Sequence, residues 1–390
     1  MNILFFPSDN DKASGAFLSM AKLAACLKNN YNHNVYVVLS RKGSGQDILD
    51  EYGIPTIFIR SYNWIVRLTE IDSPQKSNEM KLKLMLNKIA INRCVKLIKD
   101  LKIDIVHINT TWSYVGAEAA RICRVPYIWH FREFLEEDQK VCFYDKTYAH
   151  RLINDAAAIV CISQSIYNKY SRIVNSQKCL IIYNGVDSKQ FLNRDEKILE
   201  GNTASFLIVG SISESKGQWQ IIEACRMLKG KGYNNFKLSI VGKGNEEYIS
   251  QLKQLVEGYC LKDNIEFCGF SSNTSKYYRN ADITFVCSKA EAFGRVTVEA
   301  MLSGSLVIGA DTAATIELIR DMETGLLYKY GDISDLTQKI EWVLNEKEMA
   351  RKVGENGCHY MREHMSSETN AKNINELYEK VMCDLNGSKI

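Results

Sequence analysis

The sequence predicts an α/β protein built from two doubly wound parallel sheets. Three observations lead there. Short apolar, β-branched runs alternate with helical stretches along most of the chain, the pattern of parallel strands joined by crossovers. At 390 residues the chain is longer than one hydrophobic core usually supports. The alternation also breaks once near the middle, at Tyr183-Asn184-Gly185-Val186-Asp187, where a polar stretch running to Asn202 reads as a linker.

The first half opens with a strand, Asn2 to Pro7. A polar loop, Ser8 to Ser14, leads through Gly15 into a helix from Ala16 to Lys28 with Leu18, Ala21, Leu23 and Leu27 at helical spacing. Strand, glycine-bearing loop and helix N-terminus form a phosphate-facing arrangement or an ordinary turn. Further strands are expected at Val35 to Leu39, Thr56 to Ile59, Ile103 to Ile108, Tyr127 to His130, Ala158 to Ile162 and Cys179 to Ile182. Ligands of such sheets lie beyond the strand C-termini. Two histidines sit there. His107 reads as a structural histidine bonded to a nearby loop. His130 ends its strand before Phe131-Arg132-Glu133 and is expected to open into the cleft, where an imidazole can handle a proton.

Between these strands, Lys81 to Lys102 carries seven basic residues among leucines and isoleucines. Two readings are open: an outer helix with a solvated lysine face, or peripheral contact with an anionic membrane.

The second half repeats the pattern. Ser205 to Val209 forms a strand, and Gly210 to Gly217 a loop into the helix Gln218 to Leu228. Phe236 to Val241 leads to Gly242-Lys243-Gly244. Ile265 to Phe267 leads to Phe270, where backbone past a strand end can line a base pocket. Then comes DITFVCSKAEAFGRVTVEAMLSG, Asp282 to Gly304. Ile283 to Val286 reads as a buried strand, Phe293-Gly294 as a sharp turn, and Val296 to Leu302 as a short helix. Glu291 stands on the loop and Glu299 within the helix. With that division both carboxylates can face a ligand over the helix N-terminus, whose free N–H groups suit phosphate. A carboxylate accepts two hydroxyls at once, so the pair suits a sugar joined to a diphosphate. The plain alternative pairs Glu299 with a nearby arginine. Strands at Leu306 to Ile308 and helices at Asp335 to Asn345, Lys347 to Glu363 and Glu368 to Asp384 complete the chain.

Composition narrows the classes. A formal charge of +3, with no basic stripe interleaved with aromatics, argues against nucleic acid. Twelve cysteines scattered singly, without Cys-x-x-Cys, fit a reducing compartment, and those in apolar runs (Cys161, Cys268, Cys287) fit buried packing. The chain enters its first strand directly, and no run reaches bilayer-spanning length, so a cytoplasmic protein, at most peripheral on the inner membrane face, is expected.

Taken together, Glu291-Ala-Phe-Gly-Arg-Val-Thr-Val-Glu299 with Ala300-Met301 and Gly304, Lys216-Gly217, Gly210, Asn184-Gly185-Val186-Asp187 and Gly242-Lys243-Gly244 resemble the retaining glycosyltransferases of the GT-B fold, family four (glycosyl transferases group 1). The resemblance implies two Rossmann-like domains facing each other across a cleft. Residues 1–185 plus about 368–390 would form the acceptor-side domain and 186–367 the nucleotide-sugar domain. It implies a retaining hexosyltransferase using a nucleoside-diphosphate sugar, UDP-sugar favoured, with a glycan or lipid-linked glycan acceptor, in cell-surface polysaccharide synthesis. By the same resemblance Glu299 holds the ribose, while Glu291 and the Phe293-Gly294 backbone hold the donor sugar. The Val296 and Thr297 amides and Lys216 hold the diphosphate, Gly15 admits the phosphates, and His130 faces sugar and acceptor. Ser211 stands where the family usually has arginine, so Lys243 or Arg295 is the expected substitute cation. No cofactor or metal is expected, although Asp9-Asn10-Asp11 has the text of a metal motif. A sugar-nucleotide 2-epimerase of the same fold and a non-catalytic sugar-nucleotide-binding protein are the alternatives.

Overall fold

The computed structural model of the protein describes residues 1–191 and 198–387. It divides into two compact units: Met1–Gly185 together with the segment from Ser367 onward, and Val186–Ser366. The polar linker expected to run to Asn202 lies partly outside the described residues, as does the chain beyond 387.

The first unit holds β1 (Asn2–Phe6), β2 (Asn34–Leu39), β3 (Thr56–Phe58), β4 (Ile65–Arg67), β5 (Ile105–Ile108), β6 (Tyr127–Phe131), β7 (Val141–Phe143), β8 (Ala158–Cys161) and β9 (Cys179–Ile181). Seven form a parallel sheet in the order β3-β2-β1-β5-β6-β8-β9, and β4 and β7 pair antiparallel beside it. Strands buried on both faces read as continuous apolar runs, as Ile3-Leu4-Phe5 does at full burial. Every strand of the seven was legible as an apolar run, the partly exposed edge strands β3 and β9 included. The β4–β7 pair was not.

The first helix runs Gly15–Tyr31 and starts one residue earlier than expected. Ser14 caps it by accepting from the Phe17 amide at 3.3 Å. Its Phe17, Ala21 and Leu27 share a core with Ala371, Ile374 and Tyr378 of the last helix, Ser367–Gly387, which therefore belongs to this unit. The basic segment lies in a 27-residue helix, Pro74–Asp100. One face is buried through Met80, Ala90, Cys94 and Ile98, while Leu82, Met85 and Ile89 are more than half exposed. No helix among the described residues is long and apolar enough to cross a membrane.

The second unit holds β10 (Ala204–Val209), β11 (Phe236–Val241), β12 (Ile265–Gly269), β13 (Ile283–Val286), β14 (Leu306–Ala310) and β15 (Leu326–Tyr328), all parallel, in the order β12-β11-β10-β13-β14-β15. Phe206 anchors the core, stacked on Phe236 at 5.3 Å and edge-on to Phe285 at 5.4 Å. Asp282 ties it to the neighbouring chain, accepting from the Leu199 and Ser205 amides at 2.8 Å each. At the strand mouths β10 and β11 pass so closely that a Cβ on Gly242 would lie 1.7 Å from the Gly210 carbonyl oxygen, so no other residue fits there. Cys161 and Cys287 are buried as expected; Cys268, at the edge, is only half-buried.

Each sheet has a point where strand order reverses, between β1 and β5 in the first unit and between β10 and β13 in the second. Successive crossovers leave such a point in opposite directions, opening a crevice at the strand C-termini.

Candidate functional site

At the switch point of the second unit, β13 is buried throughout and hands over to a loop that is pinned at several places. Thr312 Oγ1 donates to the Ser288 carbonyl at 2.7 Å, and the Ala314 amide donates to the Glu291 carbonyl at 3.1 Å. Gly294 then takes φ +82°, a left-handed conformation that turns the chain directly into the helix Arg295–Leu302. A Cβ there would lie 3.0 Å from Leu318 Cδ1. The helix begins one residue before the expected start, and Thr297 to Leu302 are all buried.

The two carboxylates fall where the loop-and-helix reading put them. Neither is free. Glu291 Oε1 accepts from Ser288 Oγ at 2.7 Å and from Lys216 Nζ at 2.5 Å. Glu299, 7% exposed, accepts from Arg295 Nε at 2.5 Å, one helical turn earlier. The plain alternative of a helical acid paired with a nearby arginine thus holds. Both pairings use Oε1, and a carboxylate has about four acceptor sites, so capacity remains. Tyr278 lies fully buried beside Glu299; burial, with the Glu299 charge adding, pushes that phenol well up.

Gly210, Lys216, Glu291, Arg295 and Val296 line one cavity of about 90 Å³ at the mouths of β10 and β13. Five of the residues read from the motif are therefore gathered in one place. Others are arranged differently. The Thr297 amide is already donated to the Gly294 carbonyl at 2.9 Å, and its hydroxyl is buried without a partner. Phe293 is buried. Ser211 is exposed and accepts, through its carbonyl, from Gln218 Nε2 at 2.9 Å. Phe270, 57% exposed, follows β12 at the sheet edge, with Lys243 Nζ 5.2 Å from its ring centroid. Of the two substitute cations, Lys243 is thus engaged on an aromatic face, and Arg295 lines the cavity.

The first unit's switch point carries a larger cavity of about 580 Å³, lined by Ser8, Asp9, Ser14, Thr110, Trp112, Arg132 and Glu133 among others. Gly15 opens the helix beside it. His130 does not face it. The expectation that this histidine opens into a cleft is corrected: β6 continues one residue further, to Phe131, and the ring is fully buried. Its Nδ1 lies 3.0 Å from His107 Nε2 and 3.2 Å from an Arg132 terminal nitrogen, and its Nε2 has no partner. Burial drives both imidazoles well below their ordinary range, with the Arg132 charge adding.

Sequence reading passed over the residues that dominate this cavity. Arg132 donates through Nε to Asn109 Oδ1 at 2.9 Å and through a terminal nitrogen to Asn184 Oδ1. Burial pushes its guanidinium down to about 9. Glu133 accepts from the Thr111 amide at 2.8 Å and its hydroxyl at 2.5 Å, and burial raises its carboxyl. The signal was an Arg-Glu pair directly after an apolar strand, a costly place for charge unless it has a task. Asp9 and Asp11 are spent on loop structure, accepting from Ser14 Oγ at 3.0 Å and the Ala13 amide at 2.9 Å. Among the described residues no three His, Cys, Asp or Glu side chains gather as a metal site.

Comparison with known proteins adds the following. A family model for "Glycosyl transferases group 1" matches residues 189–359, and one for "Glycosyltransferase Family 4" matches 13–190. N-acetyl-alpha-D-glucosaminyl L-malate synthase of Bacillus anthracis is 25% identical over 245 residues, 61% of this chain and 63% of that one. The capsular polysaccharide biosynthesis glycosyltransferase CapM of Staphylococcus aureus is 24% identical over 245 residues, 60% of this chain and 64% of that one. The chain thus spans less than two thirds of the length of these curated relatives. Among solved structures, Anabaena HepE in complex with UDP superposes with a TM-score of 0.81 at 21% identity, covering 97% of this chain and all of that one, and HepE is also known with UDP-glucose. At that identity the likeness shows the fold, two GT-B domains.

Proposed function

The chain belongs to the group 1 glycosyltransferases, whose two domains those models describe, and from that premise we propose that it transfers a hexose from a nucleoside-diphosphate sugar, with a UDP-sugar as favoured donor and retention at the anomeric carbon. The observation that carries this reading is the pair of ion pairs at the second switch point. Lys216–Glu291 and Arg295–Glu299 hold two cations and two acids beside a helix N-terminus. A donor offers the matching set: a diphosphate for the cations and helix amides, a ribose for Glu299 and a sugar for Glu291. On binding, each charge exchanges an internal partner for a ligand group, so no buried charge is left bare. Arg295 then takes the charge that an arginine in place of Ser211 would have neutralised.

Departure of the diphosphate is the costly event. Lys216, Arg295 and the start of the helix after Gly294 are aimed at its growing charge and lower that barrier. The acceptor hydroxyl attacks from the same face, its proton passing to the leaving phosphate. With positive side chains in that role the transfer needs no divalent metal; full activity in excess EDTA supports this, and loss rescued by manganese contradicts it. HepE with UDP and UDP-glucose supports the uridine donor, and CapM supports cell-surface polysaccharide synthesis. A glycan or lipid-linked glycan is the acceptor in this reading. The exposed Leu82, Met85 and Ile89 beside Lys81 and Lys88 then seat the first unit on an anionic membrane where such acceptors reside. Anionic vesicles that fail to sediment the protein at low salt would exclude that contact.

Incubation with a panel of uridine, guanosine and adenosine diphosphate sugars tests the whole reading. UDP-sugar turnover with an acceptor, and an α-linked product from an α-linked donor by NMR, is the expected result. Product from donor alone would point to an epimerase, and binding without turnover over a broad acceptor panel to a non-catalytic protein.

A further inference from the structure

Arg132 is a buried cation whose hydrogen bonds all go to neutral atoms. Its residue is 6% exposed, and its guanidinium meets the side-chain oxygens of Asn109 and Asn184 and Nδ1 of His130. Neutral acceptors solvate a charge without cancelling it, and burial pushes this guanidinium down to about 9, offset only in part by the Glu133 charge. Glu133, the nearest acid in sequence, is turned away. Its Oε1 takes the Thr111 amide and hydroxyl, and its Oε2 takes the Arg132 amide at 3.2 Å. Arg41, just past β2, lines the same cavity of about 580 Å³. It is exposed, its carbonyl accepts from Asn10 Nδ2 at 3.2 Å, and its side chain joins no ion pair among the described residues. The other acid of the lining, Asp9, accepts from Ser8 Oγ at 3.2 Å, Ser14 Oγ at 3.0 Å and the Asp11 amide at 3.3 Å. Both cations of this cavity therefore lack a carboxylate, while both of its acids are engaged within the chain.

A buried charge without a partner is costly, and a ligand of opposite charge removes that cost. The planar fork of a guanidinium matches a carboxylate or a phosphate oxygen pair. We propose that the first unit's cavity takes an acceptor bearing an anionic oxygen group, a carboxylate or a phosphate, and that Arg132 and Arg41 select for it. This rests on the transferase reading for the word acceptor alone; the preference for an anion belongs to the cavity and is measurable without turnover. Trp112 supplies the rest of the match. Its indole Nε1 donates to Gln139 Oε1 at 3.0 Å, so what it adds to the lining is an apolar ring, suited to the carbon-bound face of a sugar beside the charged group. A uronate and a sugar phosphate both present that combination, and a plain hexose presents only half of it.

Ligand-detected NMR titrations of the full chain without nucleotide test this with three probes: methyl glucuronoside, methyl glucoside 6-phosphate and neutral methyl glucoside. At least one anionic probe should bind about tenfold or more tightly than the neutral one. A response to the uronate alone assigns a carboxylate-bearing acceptor, and a response to the phosphate alone a phosphate-bearing one. Equal binding of all three, or binding of none, overturns the proposal. Arg41→Ala should weaken the anion preference about threefold and Arg132→Gln should abolish it, while both variants bind UDP in calorimetry as the wild type does. An undiminished preference in both variants places the anion elsewhere and overturns the assignment. Should Arg132→Gln fail to fold, the exposed Arg41→Glu decides: it should shift the preference toward the neutral probe, and an unchanged preference counts against the proposal. Absence of UDP binding in the wild type would sink the nucleotide-sugar reading and leave the cavity result standing. Turnover of a UDP-sugar onto neutral acceptors alone, with no anion preference in the titrations, would sink this inference and leave the transferase reading intact.

Discussion

Glu299→Ala separates a structural acid from a ligand-binding one. The carboxylate is 7% exposed and holds Arg295 Nε at 2.5 Å, but its partner's side chain is 26% exposed and can turn toward water. Removing one member of a well-buried pair costs about 3–5 kcal/mol; partial exposure of the arginine reduces that to roughly 1–2 kcal/mol. A domain of this size should then melt about 3–6 °C lower. The effect on donor binding is larger. Two hydroxyl bonds to a charged acceptor are worth roughly 1.5 kcal/mol each at the low end, so about 3 kcal/mol, or a hundredfold, is lost. Calorimetry with UDP and 2′-deoxy-UDP isolates the contact. The wild type should bind the deoxy compound about tenfold more weakly than UDP, and Glu299→Ala should not distinguish the two. Equal discrimination in wild type and variant would refute the ribose assignment, even if the variant melts early.

Three further outcomes follow from the geometry. Gly294→Ala forces a side chain into φ +82° with its Cβ 3.0 Å from Leu318 Cδ1, and should cost at least about 1–2 kcal/mol in a thermal melt; an unchanged Tm would contradict the turn. Lys216→Met breaks a pair whose side chains are 25% and 16% exposed, so stability should fall by only about 1 kcal/mol while kcat/KM falls about a hundredfold; comparable small changes in both would make Lys216 a surface lysine. Because His107 and His130 titrate well below 6.5 in the fold, the unfolded chain binds the extra protons. Their contribution to stability is complete above about pH 6.5 and lost as pH falls below it, by up to ~2.7 kcal/mol per unit for the two together. Glu133, with its carboxyl raised, works the opposite way and gains as pH falls. Urea melts of wild type and His130→Gln should show the variant with about half the histidine-driven acid slope; identical slopes would contradict the buried neutral rings.

The sequence-based reading of the strands rested on burial on both faces, which writes itself as apolar runs such as Ile283 to Val286. The strands β4, β7 and β15 were not legible, although the equally short β3 and β9 were. The second switch point was legible because loop acid, glycine and helical acid sit within nine positions of one another. What could not be read there was the state of the charges, since Lys216 lies 75 residues from Glu291. The first unit's site was harder still. His130, Arg132, Asn109 and Asn184 converge from separate strand ends, and Tyr378 arrives from the far end of the chain. One residue of strand length decided the fate of His130: with β6 running to Phe131, the ring lies within the sheet instead of at its mouth.

A crystal structure of the full chain with an intact UDP-sugar tests the central claim most directly. The account predicts the diphosphate at the start of the helix after Gly294, the ribose hydroxyls on Glu299, and Lys216 and Arg295 moved from their acids onto phosphate oxygens. A nucleotide bound elsewhere, with Lys216–Glu291 and Arg295–Glu299 both still closed, would contradict it.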